Sequence, residues 1–336
     1  MIDPTAGPAG VGLRSLRIVL PGGSGQVGQA LARHFQNEGH HVTVLTRSPF
    51  SAPWQTVHWD GESEGPWTEA LDGADACINL AGRSVNCRYT PANCAAIYNS
   101  RIGTTRLLNR VIARLASPPR AWLNASTATI YRHALDRPMD EATGELGGYE
   151  LISRKRRAPD TWNFSIQVAK DWEAAFFETP TPRTRKVALR SAITLSPTPG
   201  NAFEIFLNLV RFSFGGKQGS GRQFVSWIHE TDFCRAVEFL IGHEEMDGPV
   251  NVAAPNPLPN REFMEALRDA WDMPNGLPIP AFALEIGAFL LRTESELVLK
   301  SRRVVPGRLL DAGFDFEFPT WPEAAEELVR QWRSGD

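Results

Sequence analysis

Cysteine is scarce: four residues in 336, at Cys77, Cys87, Cys94 and Cys234. No Cys-x-x-Cys pair occurs and no histidine cluster lies beside any of them, which argues against a disulfide framework and against a metal site. Free thiols in a reducing, cytoplasmic compartment are the expectation. No run of about 18 apolar residues exists, so no membrane span is predicted. Charge of one sign is also missing. A net charge of −3 gives no electrostatic reason to expect a nucleic-acid partner. Proline and glycine are plentiful but scattered, which excludes a low-complexity chain. The first residues lack the basic start and apolar centre of a signal peptide, and residues 1–15 read as a flexible leader. What remains is a chain long enough to bury a large core, in about two lobes.

The organising stretch is Leu16-Arg-Ile-Val-Leu-Pro-Gly-Gly-Ser-Gly-Gln-Val-Gly28. Residues 17–20 form a short apolar run, Gly22, Gly23, Ser24 and Gly25 follow, and a helical pattern opens at Gln26, Val27 and Gly28. A strand, a glycine turn and a helix in that order set backbone N–H groups and the positive end of a helix dipole against a pyrophosphate. Gly22 would permit the tight turn, Gly25 would let backbone approach phosphate, and Gly28 would let helix pack on strand.

Further strands are predicted at 41–46, 56–59, 76–80, 121–125 and 186–189, with helices at 91–115 and 164–177 between them. Such alternation implies an α/β fold: a Rossmann-type, doubly wound parallel sheet with right-handed crossovers and helices on both faces. Ligands then bind beyond the carboxyl ends of the strands, where the glycine turn, Asn79-Leu80-Ala81-Gly82 and Ser126-Thr127 all fall. Residues 16–195 are expected to form this cofactor domain, with 228–243 and 249–254 returning to it. Residues 196–335 would form a smaller α+β substrate lobe ending in a helical module at 280–333. A strand is expected over 223–228, and helices at 202–214, 233–241 capped by Asp232, 261–271 opened by Asn260, 302–310 and 321–332.

Cofactor preference can be argued from the end of the second strand. An NAD-preferring site usually offers an acid to the ribose 2′-hydroxyl there. This chain offers Thr46-Arg47-Ser48. Arg47 could pair with a 2′-phosphate through a charge-assisted fork, helped by the Ser48 hydroxyl, so NADP(H) is expected over NAD(H). An ordinary solvated cation is the competing reading of Arg47.

Several stretches carry a resemblance. The turn 21–28 looks like that of extended short-chain dehydrogenase/reductases, the nucleotide-sugar epimerase group, with Pro21 where Thr is usual. Ser126-Thr127-Ala128-Thr129-Ile130-Tyr131 is similar to that group's segment after the fifth strand. More narrowly, the chain resembles an atypical epimerase-family branch of uncertain substrate. That likeness rests on Asn79-Leu80-Ala81-Gly82, Ser100-Arg101, Asp171-Trp172-Glu173, the stretch 219–229, Gly248-Pro249-Val250-Asn251 and 312–316. It implies that Gly22, Gly25, Gly28, Arg47, Leu80, Ala81, Gly82 and Ser100 line the dinucleotide, with Arg190 and Ser191 near its nicotinamide end. It also places Thr127, with Ser126 beside it, at the hydroxyl that binds the reacting oxygen, and Tyr131 on the structural or substrate side.

The chain departs from the group at the catalytic dyad, a Tyr with a Lys one helical turn later. If Lys170 is the lysine, Ile166 stands at the tyrosine position; if the helix is anchored on Glu173, the pair becomes Ser165 and Ala169. Neither register supplies a tyrosine. Tyr131, Tyr149, His133 and His229 are the alternative acids, His229 reading better as a hydrogen-bonded structural residue. Lys217 and Arg222, in a glycine loop, would suit an anionic substrate as well as they suit a plain loop. Residues 133–160, basic at Arg154-Lys155-Arg156-Arg157, could serve as a lid or as a solvated insertion. The expected activity is oxidoreduction or epimerisation of a small anionic or nucleotide-linked molecule, with a homodimer left open. The competing expectation is an NADP(H)-binding regulator or scaffold that has lost catalysis with the tyrosine.

Overall fold

A computed structural model describes residues 14–148, 151–153, 156–157, 159–290, 294 and 296–335. The first half runs β1 (Arg17–Pro21), α1 (Gln26–Asn37), β2 (His41–Thr46), β3 (Gln55–His58), β4 (Ala76–Asn79), α2 (Pro91–Ile112) and β5 (Ala121–Thr127). A short antiparallel pair, β6 (Leu151–Ser153) and β7 (Arg156–Arg157), precedes α3 (Asp160–Phe177) and β8 (Arg185–Ser191). Next come β9 (Ile193–Leu195), α4 (Ala202–Arg211), β10 (Phe224–Val225), β11 (Trp227–His229), α5 (Glu230–Gly242), β12 (Gly248–Val252), β13 (Leu258–Pro259) and α6 (Asn260–Ala270). Helices α7 (Ala281–Leu290), α8 (Glu296–Leu299), α9 (Gly307–Asp311) and α10 (Trp321–Ser334) follow.

Seven strands form one sheet in the order β12-β8-β5-β4-β1-β2-β3, every neighbouring pair parallel. Both faces are covered, which explains why its strands read as continuous apolar runs rather than alternating ones. Ile18 and Leu20 of β1 face a core with Leu31 and Phe35 of α1 and Val237 and Leu240 of α5. Val19, one pleat away, faces the opposite core with Leu107, Leu108 and Val111 of α2 and Phe176 of α3. This is a Rossmann-type doubly wound sheet. The order in which strands are added reverses between β1 and β4, and the crevice opened there is where such sheets bind ligands. A separate core joins α4, α6 and α10 around Phe206, Trp227, Phe263 and Trp321, the last two rings stacked at 4.1 Å.

Four local expectations are corrected. The strand expected over 223–228 breaks at Ser226, whose hydroxyl donates to the Arg302 carbonyl and accepts from Val304 N–H. That bond draws residues 301–305 alongside in extended form and shortens the helix expected at 302–310 to α9. Asp232 does not cap α5; His229 does, its Nδ1 accepting from Thr231 N–H. The fully buried Asp232 carboxylate instead accepts Glu317 and Phe318 N–H at 2.8 Å each. Asn260 is the first residue of α6, and its side chain exchanges hydrogen bonds with Gln218.

Candidate cofactor and active-site cleft

The turn between β1 and α1 is shaped by close approaches. Gly22 has φ +74°, and a Cβ there would lie 2.6 Å from Ala81 Cα. A Cβ on Gly28 would lie 2.4 Å from Gly23 Cα, so α1 can sit on the turn only without it. Gly25 differs, because a Cβ there would meet nothing within 4 Å. Gly25 is also the N-cap of α1, which has no side-chain cap and no acid in its first turn. Unpaired helix N–H groups facing open space, with glycine at the mouth, fit a dinucleotide pyrophosphate. Gln26 turns its amide onto the Pro199 carbonyl at 2.6 Å, and Ser24 accepts from the Gln29 amide through its carbonyl. The Gln26 side chain is thereby turned away to Pro199, and Val27 lines the cleft beyond the turn.

The β4 loop stands opposite. The fully buried Asn79 accepts Ala81 N–H at 3.1 Å and donates to Asn124 Oδ1 at 2.7 Å, which fixes Leu80, Ala81 and Gly82 beside the turn. Leu80 and Gly82 line the cleft. Ser100 braces this loop from α2, accepting Arg83 N–H at 2.9 Å and donating to the Ile97 carbonyl. Its neighbour Arg101, which the sequence reading passes over as a site residue, lines the cleft. Its guanidinium carbon lies 5.2 Å from the Trp172 ring centre. Burial lowers its pKa to about 10, so it is a cation at neutral pH. Arg47 and Ser48 stand exposed past the end of β2, the Arg47 carbonyl held by His58 Nδ1 at 3.1 Å. Asp60, just past β3, is committed to its own turn through Ser63 and Glu62; those bonds hold its carboxyl down at about 2.

The crevice continues into a cleft of about 800 Å³ that takes in Val27, Leu80, Thr127, Ser165, Trp172 and Ser191. A larger groove of about 1230 Å³, bordered by Arg14, Asp75, Arg120 and Lys186, lies at the amino ends of the strands. Doubly wound sheets bind ligands at their carboxyl ends, so the smaller cleft is the candidate site.

Thr127 reaches this cleft with Oγ1 accepting Thr129 N–H at 3.2 Å, which leaves its proton for a ligand. Ser126 borders it too, but donates to Glu173 Oε1 at 2.6 Å. Tyr131 and Arg190 are both buried behind the cleft, and neither is among the residues that line it, which gives Tyr131 the structural place of its two expected ones. Arg190 grips Glu173 through two bonds of 2.8 and 2.7 Å, and its Nη1 donates to Tyr131 Oη, which itself donates to Asn251. Burial opposes the Arg190 charge, but the Glu173 carboxylate outweighs it and holds the guanidinium firmly protonated. Ser191, one residue on, does line the cleft.

On α3 the register anchored on Glu173 is the one that faces the ligand space: Ser165 and Ala169 line the cleft, whereas Ile166 is buried in the interior. Lys170, half-buried, lies outside the cleft wall. His133 accepts Ser301 N–H and stacks on Trp162, and burial pushes its pKa down to about 4. His229 pairs with Glu327 at 2.8 Å. Lys217 and Arg222 are exposed on a loop away from the cleft. Tyr149, Arg154 and Lys155 lie outside the described residues, as do residues 1–13 of the expected leader.

What the sequence reading misses is the wall contributed from far along the chain. Tyr89 Oη lies 3.2 Å from Ser165 Oγ, which donates to Glu296 Oε2 at 2.6 Å. Glu296 also accepts from Arg302 at 3.1 Å. These partners are 76 and 131 residues apart in the chain, a separation that leaves no spacing signal. Among the described residues no cluster of His, Cys, Asp or Glu could hold a metal ion, and no helix is long and apolar enough to cross a membrane.

Comparison with known proteins follows this geometry. Residues 18–151 match the NAD dependent epimerase/dehydratase family, and residues 279–328 match a domain of unknown function, DUF1731. Bovine (Bos taurus) epimerase family protein SDR39U1 is 31% identical over 318 residues, spanning 94% of this chain and 100% of that protein. YfhF, an epimerase family protein of Bacillus subtilis, is 29% identical, spanning 94% and 98%. The crystal structure of human SDR39U1 (isoform 2) with NADPH superposes with a TM-score of 0.80 at 28% identity, covering 94% of this chain and 99% of that one. UDP-N-acetylglucosamine 4-epimerase from Bacillus cereus shares the fold, with a TM-score of 0.69 at 17% identity. The chain belongs to the SDR39U1-like epimerase family proteins, within the extended short-chain dehydrogenase/reductases.

Proposed function

We propose that this chain binds NADP(H) in the β1–β4 crevice and uses it for oxidoreduction at a small carbonyl or alcohol substrate held over Thr127. The observation that carries the reading is the Gly25 cradle: a capless helix start, open space where a Cβ would stand, and a glycine that protein packing does not require. A relative crystallised with NADPH supports the choice of cofactor. Within the chain, Arg47 and Ser48 would meet the 2′-phosphate, the N–H groups of 24–28 the pyrophosphate, and Leu80 and Gly82 the nicotinamide ribose. A bound reduced nicotinamide supplies hydride to a carbonyl carbon. Thr127 would hold the carbonyl oxygen through its free hydroxyl proton, and Ala125, Val168 and Trp172 would exclude water around it. Arg101 is a cleft-lining cation that could meet an anionic group, whereas Arg302, also on the wall, is paired with Glu296 and Lys217 and Arg222 do not line the cleft. Residues 16–195 with α5 and β12 would constitute the cofactor domain, and α4, α6 and the last helices the substrate lobe.

A second reading, binding without turnover, draws on Ser165 and Ala169 occupying the register of the dyad. Fluorescence titration and anaerobic incubation with a carbonyl panel separate the two. Wild-type protein should bind NADPH at least about tenfold more tightly than NADH, a difference of about 1.4 kcal/mol, and Arg47→Ala should erase that preference. Equal affinities in the wild type would refute the NADP(H) assignment. Oxidation of NADPH that Thr127→Ala abolishes would support the enzyme, and tight binding with no turnover across the panel would support the second reading.

A further inference from the structure

We propose that Tyr89, on the segment leading into α2, is the proton donor of this cleft, with Ser165 and Glu296 as its positioning residues. This rests on the oxidoreductase reading above. The register of α3 puts Ser165 at the site where the parent group carries its tyrosine, and the small Ser165 side chain leaves room for a phenol arriving from another element. Tyr89 supplies that phenol: its Oη lies 3.2 Å from Ser165 Oγ, and its ring meets Phe164 edge-on at 5.2 Å. Its backbone N–H is anchored to Glu294 at 2.9 Å. Ser165 in turn donates to Glu296 at 2.6 Å, and Arg302 holds that carboxylate from behind. Tyr89, Ser165, Glu296 and Thr127 all border the same cleft.

The chemistry balances with a reduced nicotinamide as the hydride source. As hydride reaches the carbonyl carbon and the C=O π bond opens, the Tyr89 O–H bond breaks and its proton goes to the oxygen, giving the alcohol. The Ser165 hydroxyl is a rotor. It can turn from Glu296 to the phenolate until water returns a proton. Among the described residues, Glu296, Arg101 and Cys87 are the charged or titratable groups that act on the phenol. Burial, with the Glu296 charge adding to it, raises the Tyr89 pKa to about 12, while Ser165 and Arg101 oppose the shift. Tyr89 is therefore protonated at neutral pH, and its place beside Ser165 in the cleft, not its acidity, is what offers that proton to a ligand.

The test uses the full chain with NADPH and a panel of aliphatic and aromatic aldehydes and ketones. Tyr89→Phe should keep NADPH affinity within about twofold while slowing carbonyl reduction by about 10²–10⁴-fold. A merely structural latch would lower thermal stability without that loss of rate. Independently of turnover, an ultraviolet difference titration of wild type against Tyr89→Phe should show a phenol ionising well above the usual range. Glu296→Gln should bring that ionisation down, and Ser165→Ala should push it further up. Wild-type rates in Tyr89→Phe, or a phenol already ionised at neutral pH, would overturn the proposal and leave the oxidoreductase reading standing. Tight NADPH binding with no carbonyl reduced by the wild type would overturn the oxidoreductase reading itself, and this proposal with it.

Discussion

Gly25→Ala separates a glycine kept for a ligand from one kept for the fold. The Gly25 backbone, φ −73° and ψ 169°, is open to alanine, and the added methyl meets no protein atom within 4 Å. Losing an N-cap glycine costs about 0.5 kcal/mol, and the smaller unfolded-state entropy returns about 0.4–1 kcal/mol. The melting temperature should therefore stay within a degree or two. The methyl does occupy the approach to the first N–H groups of α1. Displacing a phosphate from one or two charge-assisted hydrogen bonds, each worth about 1.5–3 kcal/mol, should weaken NADPH binding by about 10-fold to 10⁴-fold. Gly22→Ala is the opposite control. Its φ of +74° costs a side chain about 1–2 kcal/mol, and its Cβ would stand 2.6 Å from Ala81 Cα, so it should melt several degrees lower before any ligand is added. Calorimetric titration with NADPH and a thermal melt on each variant provide the readings. A Gly25→Ala protein that binds NADPH as tightly as wild type would refute the cradle.

Arg190→Met strands the buried Glu173 carboxylate and should cost about 3–5 kcal/mol in denaturant unfolding; pairing it with Glu173→Met should recover most of the loss, and no recovery would sink the argument. Burial pushes the His133 pKa down to about 4 in the folded chain, against 6.5 for a free imidazole. The unfolded state binds the extra proton between those values, so stability contributed there is present above pH 6.5 and lost as pH falls toward 4. The stability difference between wild type and His133→Asn should slope through that window by at most about 1.4 kcal/mol per pH unit, and a flat difference would count against the neutral, buried imidazole. The double variant Lys217→Ala, Arg222→Ala should leave NADPH affinity and any carbonyl reduction unchanged, since neither side chain borders the cleft; a tenfold loss would return them to the site.

The doubly wound sheet was legible because its signals are local. A strand buried on both faces must be apolar throughout, and the glycine turn must follow it within a few residues. Asn79 and Leu80 could be placed at a strand end for the same reason. Side-chain direction was less accessible. Arg190 and Ser191 are adjacent, and the pleat sends one to Glu173 behind the sheet and the other into the cleft; no spacing says which. Ser165 against Ile166 was the same question on a helix, answered only when α3 is laid against its neighbours. Tyr89 and Glu296 were beyond reach, since the loop before α2 and the helix α8 meet at Ser165 only through tertiary packing.

The glycine loop at 215–222 shows why residue type alone misleads. Gly216 and two nearby cations suggested a flexible anion site by the same logic that reads the turn at Gly22. A Cβ on Gly216 would lie 2.5 Å from the Gly276 carbonyl oxygen, and one on Gly276 would lie 2.5 Å from Gly216 N. Two backbones touch there, and Gly216 N–H donates to the Leu277 carbonyl, so the fold itself accounts for these two glycines. At Gly25 the added Cβ meets nothing. A glycine required by packing is accounted for by its neighbours, whereas one at a helix start with no neighbour points to something outside the chain. By that measure Gly22 and Gly28 shape the turn, and Gly25 is the residue of the motif that would face the proposed cofactor.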